Sequence, residues 1–262
     1  MGDNNRIKVP GKTKLAMVSY LNSKPFEFGL TVTESGANFD VYTLNPSACA
    51  DMFINNTVEI ALIPIGAIHD LDDAQYKIVS EYCIGCNGEV RTVCIFSNQP
   101  LEQCTRLIAD QHSKTSVLLA GIILEKVFGS TPNIIQKDVQ NIELAKNEAV
   151  LMIGDKVFAH ENKFAYTCDL GSAWKKYTGL PFVFALWVAK NYVDISTITH
   201  LNQAFEYGLA HIDDVIKKES SENLDLMYYF QHNISYALDP KKHEALDLFL
   251  HQSKKYLHSF SG

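Results

Sequence analysis

Two runs of β-branched and aromatic residues, "TVCIFSN" (92–98) and "LPFVFALWVAK" (180–190), bracket a middle segment that itself alternates strand-like and helix-like stretches. Few chain paths accommodate that pattern. Ahead of it, "LAMVSY" (15–20) reads as a strand and "PSACADMFINN" (46–56) as a short helix with Asn45 as its cap and Pro46 at its first position. "EIALIPI" (59–65) reads as a second buried strand. Strands alternating with helices favour a parallel sheet covered by helices. Between the two runs, "RLIAD" (106–110) is strand-like, "QHSKTSVLLAGIILEKVFG" (111–129) is a polar helix start, an apolar helix and a Gly stop, and "AVLMIGD" (149–155) is a strand ending in Gly-Asp. A short helix is expected around "LGSAWKKYTG" (170–179). After the second run, 196–218, 222–231 and 241–258 have helical spacing, with Pro240 opening the last. If both long runs carry the chain from one sheet to another, the chain leaves one lobe, builds a second and returns. The expected α/β architecture has two lobes joined by two crossover hinge strands, with residues 1–96 and 183–262 in lobe one, 97–182 in lobe two, and the ligand between them.

Composition narrows the partners. With 47% hydrophobic and 20% charged residues among 262, the chain can bury its own core. A net charge of -7 gives no general field for nucleic acid or an anionic membrane surface, so an anionic ligand has to be held locally. Residues 1–14 are polar and basic and are followed only by "LAMV", too short for a signal-peptide core. The longest apolar runs fall short of the roughly 20 residues of a membrane span. A cytoplasmic protein, monomer or homodimer, with no membrane or nucleic-acid partner is expected. Gly2 does not open a myristoylation signal, because Arg6 stands where Ser or Thr is required. The six cysteines need no disulfide framework in a chain this long. Cys83 and Cys86 form one C-x-x-C, without the second pair that a structural zinc site needs.

Ligands of open sheets bind beyond the carboxyl ends of strands, facing helix starts. Four polar corners qualify: Ser19 to Ser23, Asn45 to Ser47, His112 to Ser116, and Gly154-Asp155. Ser113, Thr115 and Ser116 offer hydroxyls and free amides suited to a carboxylate, with Lys114 adding charge; equally, one of these hydroxyls can be an ordinary N-cap. Asn22 can cap the first helix or aim its amide into the cleft. Arg91, one of only three arginines, can bind a carboxylate in bidentate fashion or pair with Glu89 or another acid of the chain. Asp155 can be a cleft acid or base, or cap a turn. His69, His112 and His160 lie near loops without a Ser or Cys partner in a nucleophile motif. Neither a metal-protease helix, a Walker A loop, a dinucleotide fingerprint nor a nucleophile elbow is present, so neither metal nor cofactor is expected.

Taken in order, "SYLNSKPF", "PSACADMFINNTVEIALIPI", "CIGCNGEVRTVCIFSNQPLEQC", "DQHSKTSVLLAGIIL", "LMIGD", "DLGSAWKKYTGLPFVFALWVA" and "YYFQHNISYALDPKKHEALDLF" resemble the chorismate dehydratases of the futalosine route to menaquinone, from about residue 14 to the C-terminus. The resemblance implies the type II periplasmic-binding-protein-like fold without export, and a hydro-lyase that removes water from chorismate to give 3-[(1-carboxyvinyl)oxy]benzoate with no cofactor. It implies Asn22 as the catalytic residue beside the reacting centre. Ser113, Thr115 and Ser116 would bind a substrate carboxylate, and Ser19, Arg91 and Asp155 would complete the substrate site. Lys114 stands where many relatives have Arg, and Arg91 where some have a small residue. Two alternatives remain: the sibling 1,4-dihydroxy-6-naphthoate synthase, which shares the fold, and a carboxylate-binding protein without chemistry.

Overall fold

The computed structural model describes residues 11–110, 113–139, 142–219 and 224–257. Gly2, Arg6 and His112 lie outside the described residues. In chain order, the first sheet takes β1 (Thr13–Val18), β2 (Phe39–Leu44), β3 (Ile60–Pro64) and β4 (Tyr76–Cys86). The second takes β5 (Val93–Ser97), β6 (Arg106–Asp110), β7 (Asn133–Lys137), β8 (Glu148–Ile153) and β9 (Tyr166–Asp169). The chain then returns to the first sheet with β10 (Phe182–Lys190) and β11 (Ser235–Ala237). The strand orders are β11-β4-β10-β3-β1-β2 and β7-β6-β8-β5-β9. Two lobes result.

Each sheet is mixed rather than wholly parallel. β1 runs parallel to β2 and β3, as β6 does to β7 and β8, whereas β10 is antiparallel to β3 and β4, and β5 to β8 and β9. The antiparallel members are the strands next to the passages between lobes. One expectation needs correcting here. Neither long run crosses between sheets: both edges of β5 are occupied by second-sheet strands, and both edges of β10 by first-sheet strands. The passages are residues 87–92 and the segment 170–181, so residues 93–96 pair in the sheet of lobe two and Phe182 in that of lobe one. Every residue of β3, β5, β8 and β10 is buried, which is why these strands read as unbroken apolar runs.

Helices α1 (Lys24–Val32), α2 (Pro46–Ile54), α3 (Lys114–Phe128) and α4 (Leu170–Thr178) begin just past the ends of strands or of the turns that follow them. Asn45 caps α2 by accepting the Ala48 N–H at 2.9 Å, with Pro46 at the first position. α3 ends at Gly129 in the left-handed region. The helical tail comprises α5 (Ile195–Ala210), α6 (Ile212–Lys218), α7 (Leu226–Tyr228) and α8 (Pro240–Ser253), so the stretch expected as one helix over 196–218 is broken at His211. α8 packs on β10 and on α3, and so touches both lobes. There Trp174, Phe182 and Phe249 meet edge to face. Among the described residues no helix is long and apolar enough to cross a membrane.

Candidate active site

The carboxyl ends of β1 and β3 and the start of α3 face one another across a cleft with about 560 Å³ of space free of protein atoms, open to solvent at its mouth. Val18, Pro64, Ile84, Val90, Val93, Ile153 and Phe184 give it apolar walls; Tyr20, Asn22, Thr92, Ser113, Thr115 and Ser116 give it polar points. Among the described residues, no lysine, arginine, aspartate or glutamate lines it. Such a site packs apolar walls against a ligand and recognises its polar groups through hydroxyls, an amide and main-chain N–H groups.

Asn22 arrives through a tight corner. β1 ends at Val18, and a 3-10 turn over Leu21–Ser23 leads into α1. The Ser23 hydroxyl lies 2.6 Å from the Val18 carbonyl and 2.8 Å from that of Tyr20, which closes the corner upon itself. Pro25 stands in the first turn of α1, where its missing N–H is harmless. Asn22 does not cap that helix: Ser23 occupies the cap position, and no side chain bonds there. The Asn22 side chain instead lines the cleft, and its Oδ1 is buried without a hydrogen-bond partner among the described residues. A buried, unsatisfied amide oxygen costs about 1–3 kcal/mol and points to a group that a ligand would satisfy.

Opposite Asn22, Ser113 is the N-cap of α3, its hydroxyl accepting the Ser116 N–H at 3.3 Å. Ser113, Thr115 and Ser116 are all buried at the cleft, so capping and cleft-lining coincide at Ser113. The Thr115 hydroxyl is engaged in the fold, accepting the Gly66 N–H from lobe one at 2.9 Å. A Cβ on Gly66 would lie 2.8 Å from the Thr115 nitrogen, so this approach of the two lobes requires glycine. Lys114 turns away from the cleft and pairs with Asp70 of lobe one at 2.7 Å. The amino end of α3, not a side-chain cation, therefore provides the positive potential.

Three residues expected at the substrate lie elsewhere. Ser19 is exposed, outside the cleft lining, with its N–H donated to the Leu44 carbonyl at 2.9 Å. Arg91 makes its bidentate contact with Glu161, Nε donating to Oε1 at 3.0 Å and Nη2 to Oε2 at 2.7 Å, and stacks over Phe158; the Glu161 carboxylate raises the guanidinium pKa further. Its fork is used within the chain, and a substrate carboxylate would have to displace Glu161. Asp155 also stands outside the lining, and its two oxygens accept the Leu21 N–H from the opposite lobe at 3.1 and 3.2 Å. Burial pushes its carboxyl pKa up. Of the histidines, His69 bonds Ser253 at 2.8 Å and His160 the Lys156 carbonyl at 2.9 Å. Cys83 and Cys86 sit buried on β4, their thiols pushed up by burial to about 11 and about 12, which keeps them protonated at neutral pH.

Three contributors were not singled out in the sequence. Tyr20, whose hydroxyl pKa is raised by burial and by Asp110 and Asp155, lines the cleft, as does Thr92. Tyr236 on β11 donates its buried hydroxyl to the Asn22 carbonyl at 2.8 Å. Tyr20 was legible only as a neighbour of the polar corner, and Tyr236 lies 214 residues from its partner.

Comparisons with known proteins agree with this architecture. The solved structure of a protein from Archaeoglobus fulgidus superposes with a TM-score of 0.71 over 94% of this chain and 98% of that one, at 14% identity. The alkanesulfonate-binding protein SsuA of Xanthomonas axonopodis pv. citri, solved with MOPS bound, superposes with a TM-score of 0.63 over 95% and 93%, at 8% identity. A Candida albicans gene product described as having the generic periplasmic binding protein fold gives 0.56 over 95% of both chains, at 13% identity. These likenesses establish the periplasmic-binding-protein-like fold. Among curated proteins, the chorismate dehydratase of Thermus thermophilus is 24% identical over 194 residues, covering 66% of this chain and 71% of that protein. A family profile described as menaquinone biosynthesis matches residues 13–255, which take in both lobes and the cleft between them. The chain belongs to the menaquinone biosynthesis family.

Proposed function

We propose that the protein is a chorismate dehydratase acting in the cleft between its lobes, and that Asn22 is its catalytic residue. The observation that carries this reading is the buried Asn22 Oδ1, without a hydrogen-bond partner among the described residues, in a cleft also lined by the first turn of α3, in a member of a menaquinone biosynthesis family with a dehydratase relative. Chorismate is a dianion with a hydroxyl at C4 and an allylic hydrogen at C3, acidified through the ring double bond by the carboxylate. Loss of that proton sends charge toward the ring carboxylate; departure of the C4 hydroxyl, leaving as water with a proton, makes the ring aromatic. Aromatisation drives the step, so the protein has to exclude water, orient the dianion and place donors where charge develops.

An amide cannot act as a general base at neutral pH. The C3 proton therefore passes to the enolpyruvyl carboxylate of the substrate itself, while Asn22 fixes the geometry and holds the departing hydroxyl. Ser113, Ser116 and the first-turn amides of α3 receive a carboxylate. Val90, Val93, Ile153 and Phe184 wall the ring from water.

Purified protein incubated with chorismate, without metal or nucleotide, is expected to yield the dehydrated enolpyruvyl benzoate in mass-resolved chromatography. Asn22→Ala is expected to lower kcat by about 10²-fold or more, as removal of a single preorganised polar group does elsewhere. Unchanged chorismate from folded wild type would refute the reading. If that sample still bound chorismate, it would be a binding protein; if it ignored chorismate and acted on a later, larger intermediate of the pathway, it would be the 1,4-dihydroxy-6-naphthoate synthase.

A further inference from the structure

The main chain around Asn22 is held from three sides, while its side-chain oxygen has no hydrogen-bond partner among the described residues. Ahead of it, the Leu21 N–H is accepted by both Asp155 oxygens, at 3.1 and 3.2 Å. At Asn22 itself, the carbonyl accepts the Tyr236 hydroxyl at 2.8 Å. Behind it, the Ser23 hydroxyl reaches the Val18 and Tyr20 carbonyls. Tyr236 and Ser23 belong to lobe one, as Asn22 does. Asp155 alone reaches across from lobe two, from the turn that follows β8. The residue before it, Gly154, has φ +73°, and a Cβ there would lie 2.9 Å from the Tyr20 ring, so the Gly-Asp turn is pressed directly onto the Tyr20-Leu21 corner. Asp155 lies outside the cleft lining and is therefore badly placed to touch substrate.

We infer that Asp155 is a positioning residue that locks the turn carrying Asn22 from the opposite lobe, so that the geometry of Asn22 is complete only when the lobes are together. The inference rests on the proposed role of Asn22, and it assigns the "IGD" turn a task distinct from substrate binding or proton transfer. A carboxylate that accepts one main-chain N–H can be replaced by an amide whose oxygen accepts the same N–H. A general acid or base cannot.

Three proteins separate these roles: wild type, Asp155→Asn and Asp155→Ala. Asp155→Asn is expected to keep kcat within about threefold of wild type. Asp155→Ala is expected to lose about ten- to a hundredfold in kcat with KM for chorismate little changed, the range that misplacement of a reacting group produces. Equal loss in both variants would overturn the inference in favour of acid-base chemistry, and a raised KM at constant kcat would overturn it in favour of direct substrate contact. Hydrogen exchange at the Leu21 amide is measured on the same three proteins without substrate. Protection in wild type and Asp155→Asn, lost in Asp155→Ala, is expected; an amide equally exposed in all three removes the lock. If wild type leaves chorismate unchanged, the functional reading fails, and the exchange data alone still decide whether Asp155 holds the turn.

Discussion

Thr115 is a cleft residue whose hydroxyl is already engaged. It accepts the Gly66 N–H and thereby ties the first turn of α3 to the turn after β3 in the other lobe. Thr115→Val keeps the shape but leaves a buried N–H without an acceptor, so a stability loss of about 1–3 kcal/mol is expected in urea unfolding, with Thr115→Ser close to wild type. A Thr115→Val protein of unchanged stability but with a raised KM would reassign the hydroxyl to substrate. The limits of sequence reading are clearest for single residues. A cap among Ser113, Thr115 and Ser116 is legible because capping is a local affair of three residues, and the structure assigns it to Ser113. Asn22 is not, since cap and cleft ligand call for the same residue type after a strand. For Arg91 the bidentate habit is legible, but its partner Glu161 lies 70 residues away and is set only by folding.

Among elements, the two passages between the lobes are fastened to each other by Asp169. As the N-cap of α4 it accepts the Ser172 N–H at 2.8 Å, and from the other passage it accepts those of Val90 at 3.1 Å and Arg91 at 2.7 Å. Arg91 sits in the left-handed region, at φ +62°, a conformation costly for a side-chain-bearing residue and held here by that anchor. Asp169→Ala removes a cap and strands two further N–H groups, so a loss of about 2–3 kcal/mol in unfolding free energy is expected in urea titrations. A change below about 0.5 kcal/mol would mean that the two passages hold independently. The three-residue edge strand β11 depends in the same way on a side chain of the helix that follows it. The fully buried Lys242 ammonium binds the Ser235 carbonyl and hydroxyl at 2.7 Å, and also the Ala237 carbonyl. Helices and buried strands announce themselves by period and by run length. β11 has too few residues for a period, and in β4 exposed and buried positions do not alternate cleanly, with register irregularities against both neighbours.

At the scale of the molecule, the lobes are joined at the cleft by Asp155, Thr115 and Lys114, and behind it by the C-terminal segment. There Glu125 of α3 meets the Lys255 ammonium at 2.6 and 2.7 Å and the Tyr256 hydroxyl at 2.8 Å. The Lys255 hydrogen bond, followed by that of Tyr256, lowers the Glu125 carboxyl from 4.5 to about 2. A carboxyl depressed on folding stabilises fully above its unfolded value, and that contribution is lost as the pH falls from about 4.5 toward 2. Asp155 and Asp169, raised by burial, have the opposite sign, their ionisation opposing folding as the pH rises past 3.8. Glu125→Gln is thus expected to lower stability by about 1 kcal/mol or less at pH 7 and to leave it unchanged near pH 2 in urea titrations. An equal deficit at both pH values would show that charge is not the cause. By itself the sequence determined the α/β class, the two-lobed plan, the helix cap at Asn45 and the family, because these rest on local periodicity, capping and ordered motifs. Only the tertiary structure decided which sheet β5 joins, that Arg91 is occupied by Glu161, and that Asp155 and Tyr236 hold the corner of Asn22. Those outcomes depend on contacts between residues tens to hundreds of positions apart, which close only when the sheets are built and the lobes meet.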